Sequence, residues 1–188
     1  SELIQNRQPL LISIAAGIRA TDLQRWLGGS CALVRCMPNT PALVQSGATA
    51  LWRNEHVSEE QKDLAESILR AVGLALWVKS EDLMDSVTAL SGSGPAYFLL
   101  VMEALQEAGQ AMGLPEESAK LLSLQTAFGA AKMALESSED AAVLRQRVTS
   151  PGGTTEKALA VRENGGLRVL FSDALKAARE RSRELEEQ

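Results

Sequence analysis

The sequence predicts an α/β segment followed by an all-α segment, with the change near Ser80. Before that point short apolar runs alternate with amphipathic stretches, as in a sheet covered by helices. Beyond it runs of strand type stop, and apolar residues recur at helical spacing. With 188 residues, 45% of them hydrophobic, the chain can bury a substantial core.

Pro9 to Ala15 is a nearly continuous apolar run of the kind a parallel strand needs when both faces are covered. Ala15-Ala16-Gly17 ends it in small residues. Thr21 and Gln24 have capping-box spacing for a short helix carrying Leu23, Trp26 and Leu27, which Gly28-Gly29 stops. Ala32 to Met37 reads as a second strand and leads into Pro38-Asn39-Thr40-Pro41, a turn stiffened by its two prolines. A third strand is expected at Ala48 to Trp52. Ser58 and Gln61 cap the next helix, whose Leu64, Ile68 and Val72 share a face, and Gly73 closes it before a strand from Leu74 to Val78.

After Ser80 a helical stripe begins at Leu83, Val87 and Leu90 and continues past Pro95 through Phe98, Leu99, Met102 and Leu105 to a C-cap at Gly113. Pro115 opens the next helix in its first turn. Glu116 to Leu135 is apolar around most of its circumference, so it must be buried on all sides. The segment 81–188 is too short to enclose such a helix, and a homodimer formed mainly through that segment is expected to supply the cover. The final helix, Leu167 to about Glu187, packs Leu170, Phe171, Ala174 and Leu175, and its Arg/Glu-rich end is expected to be a solvated face.

Two segments carry chemistry. In Val148-Thr149-Ser150-Pro151-Gly152-Gly153-Thr154-Thr155, the glycines let backbone approach a ligand, and the following helix offers free N–H groups and its positive dipole end. A carboxylate or phosphate fits there; the alternative is a tight turn whose threonines cap a helix. The second segment, Thr88-Ala89-Leu90-Ser91-Gly92-Ser93-Gly94-Pro95, lies inside a helix, where each glycine costs about 1 kcal/mol and a proline about 3. Pro95 also frees the carbonyl of Ser91. Either another helix packs closely, or a ligand uses the freed carbonyls and the hydroxyls of Thr88, Ser91 and Ser93.

A net charge of −5 without a basic block argues against nucleic acid, and no apolar run is long enough to span a bilayer. A cytoplasmic protein is expected. Cys31 and Cys36 are too few for a disulfide framework or a zinc site and read as buried free thiols; no metal site is expected. His56, the lone histidine, falls in a charged loop, so no histidine-based triad can be assembled. Trp26, Trp52 and Trp77 fall on separate elements and read as core or interface. Ser1 to Gln8 has neither the basic start nor the apolar centre of a signal peptide.

Four blocks, in order, resemble the pyrroline-5-carboxylate reductase family: Ile14 to Gly17, Arg35 to Pro41, Asp85 to Tyr97 and Val148 to Thr155, ahead of a Gly-Gly-Leu-Arg start to the last helix at Gly165 to Arg168. The resemblance covers essentially the whole chain. It implies the second half of a Rossmann-type domain (1–80) joined to a helical dimerisation and substrate-binding domain (81–188). The implied reaction is reduction of 1-pyrroline-5-carboxylate to L-proline by NADPH or NADH, the last step of proline biosynthesis, in a homodimer or a larger assembly of dimers. By the same resemblance Thr88 hydrogen-bonds the ring nitrogen and is the catalytic group. Ser150, Gly152, Gly153, Thr154 and Thr155 bind the substrate carboxylate. Ala15, Ala16, Met37, Pro38, Asn39 and Ser93 line the nicotinamide. Some relatives place a substrate-contacting Glu where this chain has Ser138, with Glu139 beside it.

The family's opening strand and Gly-x-Gly-x-x-Gly turn do not occur in the sequence, so the chain is expected to be partial and to bind the cofactor weakly by itself. Two other readings are a hydroxy-acid-type dehydrogenase of similar two-domain plan, against which the absence of a catalytic lysine or histidine in these motifs speaks, and a catalytically inactive helical dimerisation fragment.

Overall fold

The computed structural model describes residues 9–186. Ser1 to Gln8, read above for a leader, and the expected helix end at Glu187 lie outside the described residues. Two compact units are present: residues up to Pro95 together with the segment from Asp173 onward, and Ala96–Ser172. Strands end near Ser80 as the sequence suggests, while the compact units divide at Pro95, after the glycine-rich helical segment.

The first unit holds a four-stranded sheet in sequence order, β1 (Leu11–Ser13), β2 (Leu33–Met37), β3 (Gly47–Arg53) and β4 (Gly73–Trp77). β1 pairs parallel with β2 and β3 with β4, each across a helical crossover: α1 (Ala20–Leu27) and α2 (Glu59–Arg70). β2 and β3 are antiparallel. Their connection is only a turn of 3₁₀ helix, Thr40–Val44, and a parallel return needs a longer crossover.

The apolar alternation of the strands feeds two cores. Val34, Cys36, Leu51 and Ala75 meet Val57, Ala65 and Leu69 on the α2 side. Leu33, Cys31 and Ala20 meet Leu11, Leu23, Leu27 and Trp52 on the α1 side. The face α2 turns inward therefore carries Ala65 and Leu69, while Leu64 and Ile68, expected to lead that face, are exposed. Small Ala65 lets α2 lie close to the strands. Gly73 has φ +145° and a Cβ there would sit 2.1 Å from the Gly47 carbonyl, so this β3–β4 pair tolerates only glycine.

The α1 start also differs from expectation. Arg19 is the N-cap and makes no side-chain capping bond, so Thr21 and Gln24 form no box. Glu81 takes that role from a distance, accepting the Ala20 N–H at 2.7 Å. The Ser58–Gln61 capping box forms as read, and Gly28 ends α1 in the left-handed region.

Beyond β4 the chain turns through a 3₁₀ segment, Glu81–Leu83, into the short α3 (Met84–Val87) and a π-helical turn, Thr88–Gly92. α4 (Gly94–Ala111) leads into the second unit, which holds α5 (Glu116–Glu136), α6 (Ala141–Arg147), α7 (Thr154–Asn164) and the start of α8 (Leu167–Glu186). α6 has no counterpart in the sequence reading, because Ala-Ala-Val-Leu followed by Arg-Gln-Arg is too short to show a period. On α5 only Ala119 is buried; Leu121, Leu122, Phe128 and Met133 are exposed within this chain. An apolar surface of that extent is what the sequence reading assigned to a partner.

Candidate active site

In the first unit three predicted segments meet at the C-terminal end of β2. Pro95 lacks the N–H that would bond the carbonyl four residues back, and the helix answers with a π turn, in which the Ser93 N–H bonds the Thr88 carbonyl at 2.8 Å. The freed Ser91 carbonyl accepts from Asn39 Nδ2 at 3.1 Å, and the Ser91 hydroxyl donates to the Ala48 carbonyl at 3.4 Å. Asn39 Oδ1 in turn accepts the Ala48 N–H at 2.9 Å. The freed carbonyl and the Ser91 hydroxyl, considered above as ligand contacts, are therefore occupied in docking the turn.

Glycine makes that docking close. A Cβ on Gly92 would lie 3.5 Å from Met37 Sδ and 3.7 Å from Thr88 Cγ2. Met37 is buried, and Pro38, Asn39, Thr88 and Ser93 are half-buried around it. Asn39, expected at the cofactor, spends both polar side-chain atoms as a strut. Thr88 is half-buried and its hydroxyl donates to the Met84 carbonyl at 2.9 Å, leaving the oxygen's lone pairs to accept.

Ala15 and Ala16 follow β1, and Ala16 is exposed. With Met37 and Pro38 they offer small, uncharged surface at the carboxyl ends of parallel strands, which suits the flat nicotinamide end of a dinucleotide. At Gly17, φ is +67° and a Cβ would meet Leu185 Cβ at 2.8 Å. The end of α8 is thus seated on this turn. Ser182 is buried against Asp85, and Glu186 lies 3.3 Å from Arg19 and 3.7 Å from Arg35. The expected solvated face holds for Glu180, Arg181, Arg183 and Glu184, which are exposed, but not for Ser182 and Glu186: periodicity showed the charges but not the buried Arg35 that Glu186 answers. Arg35 Nη1 also meets Glu81 at 2.6 Å.

In the second unit, Ser150 to Thr155 forms the loop and first turn of α7. Gly152 has φ +71°, Gly153 is the N-cap, and the Gly153 N–H bonds the Ser150 carbonyl at 3.0 Å. The Gly152 N–H donates to Glu156 Oε2 at 2.7 Å. The cradle already holds a carboxylate, the chain's own, and neither glycine amide is free for substrate. What remains are the hydroxyls of Ser150, Thr154 and Thr155 and the amides of Thr154 and Thr155, which helix geometry leaves without an intrahelical acceptor. Glu139 is paired with Arg147 at 2.6 Å, and Ser138 is exposed.

Other conspicuous groups stay out of these sites. Cys31 and Cys36 are buried free thiols, and burial pushes Cys36 up to about 11. His56 sits beside Glu55 on the surface. Trp52 and Trp77 pack against the cores, and Trp26 is exposed. Among the described residues no cluster could hold a metal ion, and no helix is long and apolar enough to cross a membrane.

Residues 81–185 match the pyrroline-5-carboxylate reductase dimerisation family. The chain is 52% identical to the pyrroline-5-carboxylate reductase of Pseudomonas aeruginosa over 96% of its own length and 66% of that protein's. It is 42% identical to that of Pisum sativum over 95% and 65%. Among solved structures, the enzyme of Coxiella burnetii superposes with a TM-score of 0.95 at 54% identity, covering 98% of this chain and 68% of that one. The Plasmodium falciparum enzyme, solved with NADP bound, gives 0.87 at 36% identity, covering 94% and 70%. The chain thus spans about two thirds of the length of the curated relatives it matches. By sequence and by fold, it belongs to the pyrroline-5-carboxylate reductase family.

Proposed function

We propose that a protein of its relatives' full length carrying this chain reduces 1-pyrroline-5-carboxylate to L-proline, the closing step of proline biosynthesis in the cytoplasm, as a homodimer using NADPH or NADH. The observation that carries this reading is the π turn at Thr88–Gly92, pinned by Asn39 against the end of β2. It seats Gly92 between Met37 and the Thr88 methyl, and it carries the Thr88 hydroxyl. The bound cofactor would supply a hydride to the carbon of the C=N bond.

The chain's own residues do the rest. Because the Thr88 proton is committed to the Met84 carbonyl, Thr88 receives a hydrogen bond and does not give one. It accepts the N–H of the protonated imine, orients the ring, and keeps the same bond as the C=N electron pair moves onto nitrogen. The amides and hydroxyls of Thr154 and Thr155, with Ser150, hold the substrate carboxylate. Ala15, Ala16, Met37 and Pro38 would line the nicotinamide, with Ser93 and the Asn39 backbone as polar contacts. The exposed apolar residues of α5 support the dimer; sedimentation as a stable monomer at micromolar concentration would contradict it.

The test is complementation. The full-length protein should restore growth without proline to cells lacking their own reductase, and its Thr88→Val variant should not. Growth with neither protein would count against the assignment, and equal growth with both against the role of Thr88.

A further inference from the structure

Asp85 and Ser182 stand 97 positions apart and meet in the fold. Ser182 Oγ donates to Asp85 Oδ1 at 2.7 Å, and Arg183 Nε lies 3.7 Å from Oδ2. The two residues are 5% and 4% exposed. A carboxylate so buried is costly to keep, and the sheet cores do not use it.

Its place explains its retention. Asp85 lies three residues before Thr88, on the helical turn whose Met84 carbonyl takes the Thr88 hydroxyl. Three residues after Thr88, the Ser91 carbonyl is held by Asn39. Thr88 is thus the middle of a turn tied at both ends. A π turn carries one residue more than an α turn, and relaxing that residue would rotate Thr88 by roughly 100° about the helix axis. The Asp85–Ser182 bond can form in only one of those registers, because its donor is on α8, itself held by Gly17 against Leu185 and by Glu186 beside Arg19 and Arg35.

We propose that Asp85 is a positioning residue: through Ser182 of α8 it fixes the register of the turn and thereby the aim of the Thr88 hydroxyl. The inference rests on the reading of Thr88 as acceptor of the ring N–H.

The test is a double-mutant cycle in a protein of the relatives' full length, measuring kcat and KM for 1-pyrroline-5-carboxylate beside thermal melting. Ser182→Ala should lower kcat about five- to tenfold with KM unchanged within about twofold, as loss of a transition-state interaction does. Added to Thr88→Val it should cost nothing further, since the group it aims is gone. Asp85→Asn, whose amide oxygen still accepts from Ser182, should recover most of the rate and serves as the second variant if Ser182→Ala melts early. If Ser182→Ala keeps full kcat, or if its loss multiplies with that of Thr88→Val, Asp85 is only a structural anchor and the proposal fails. If Thr88→Val alone loses nothing, the reading of Thr88 falls and takes this inference with it.

Discussion

Asn39 makes the sharpest stability prediction, because its side chain does two separable jobs. Its Oδ1 accepts the Ala48 N–H at 2.9 Å and its Nδ2 donates to the Ser91 carbonyl at 3.1 Å. Pro95 offers the Ser91 carbonyl no N–H four residues on, and Asn39 supplies a donor there. Asn39→Ala removes two hydrogen bonds and strands two half-buried backbone groups; at about 1 kcal/mol per bond plus a desolvation penalty, the loss is about 2–4 kcal/mol. Asn39→Asp is isosteric and keeps the first bond, but sets an anionic oxygen against the Ser91 carbonyl, so it should also destabilise. All three tryptophans, Trp26, Trp52 and Trp77, lie in the same unit, so their fluorescence reports on it. With an ordinary urea dependence the Asn39→Ala midpoint should fall by roughly 1–2 M. Midpoints of both variants within about 0.3 M of wild type would refute the strut.

Three further outcomes follow from the same structure. Thr88→Val should lower kcat about ten- to a hundredfold, in line with losing one charge-assisted bond of about 1.5–3 kcal/mol, while Thr88→Ser stays near wild type; Thr155→Ala should chiefly raise KM. Steady-state kinetics of the full-length protein decides between them, and equal effects on KM from Thr88→Val and Thr155→Ala would contradict the two roles. Cys36, held protonated by burial with its thiol pushed up to about 11, should resist alkylation near neutral pH until the protein unfolds, as mass spectrometry of timed reactions would show; prompt native labelling would be contrary. Glu186 is held above its ordinary value by burial and then by Asp85, against the pull of Arg19 and Arg35. The folded state thus binds this proton more tightly than the unfolded state, so the Glu186 contribution is greatest below the ordinary carboxylate value and falls as pH rises through the raised one. Wild-type stability relative to Glu186→Gln, whose side chain does not titrate, should therefore fall as pH rises through that window in urea titrations, and a relative stability that rose would contradict it.

Much of this was legible in the sequence, residue by residue. The alternating apolar runs located all four strands, Ser58 with Gln61 gave a true cap, and Gly28, Gly73 and Gly113 marked real chain reversals. Pro95 inside a helix pointed to a strained turn and a freed Ser91 carbonyl, both present. Long-range partners were beyond reach. Nothing near Ala20 announces that Glu81 will cap its helix, nothing near Glu186 announces Arg35, and Glu156 reads as an ordinary helical residue until its carboxylate is seen on the Gly152 amide. The face of α2 was misread because Leu64 and Ile68 outrank Ala65 in hydropathy, yet close packing on a sheet favours the smaller residue. At the candidate sites, which donors remain free depends on internal bonds that glycine and hydroxyl content does not reveal.

The proposed function assigns an imine nitrogen to Thr88 and a carboxylate to the Ser150–Thr155 cradle. The most direct measurement follows NADPH oxidation by the full-length protein with 1-pyrroline-5-carboxylate and, in parallel, with 1-pyrroline, which keeps the imine and lacks the carboxylate. The account predicts efficient turnover of the first and a kcat/KM at least about a hundredfold lower for the second, as expected when a charged group loses its hydrogen-bond donors. Equal kcat/KM values for the two, or no oxidation with either, would contradict it.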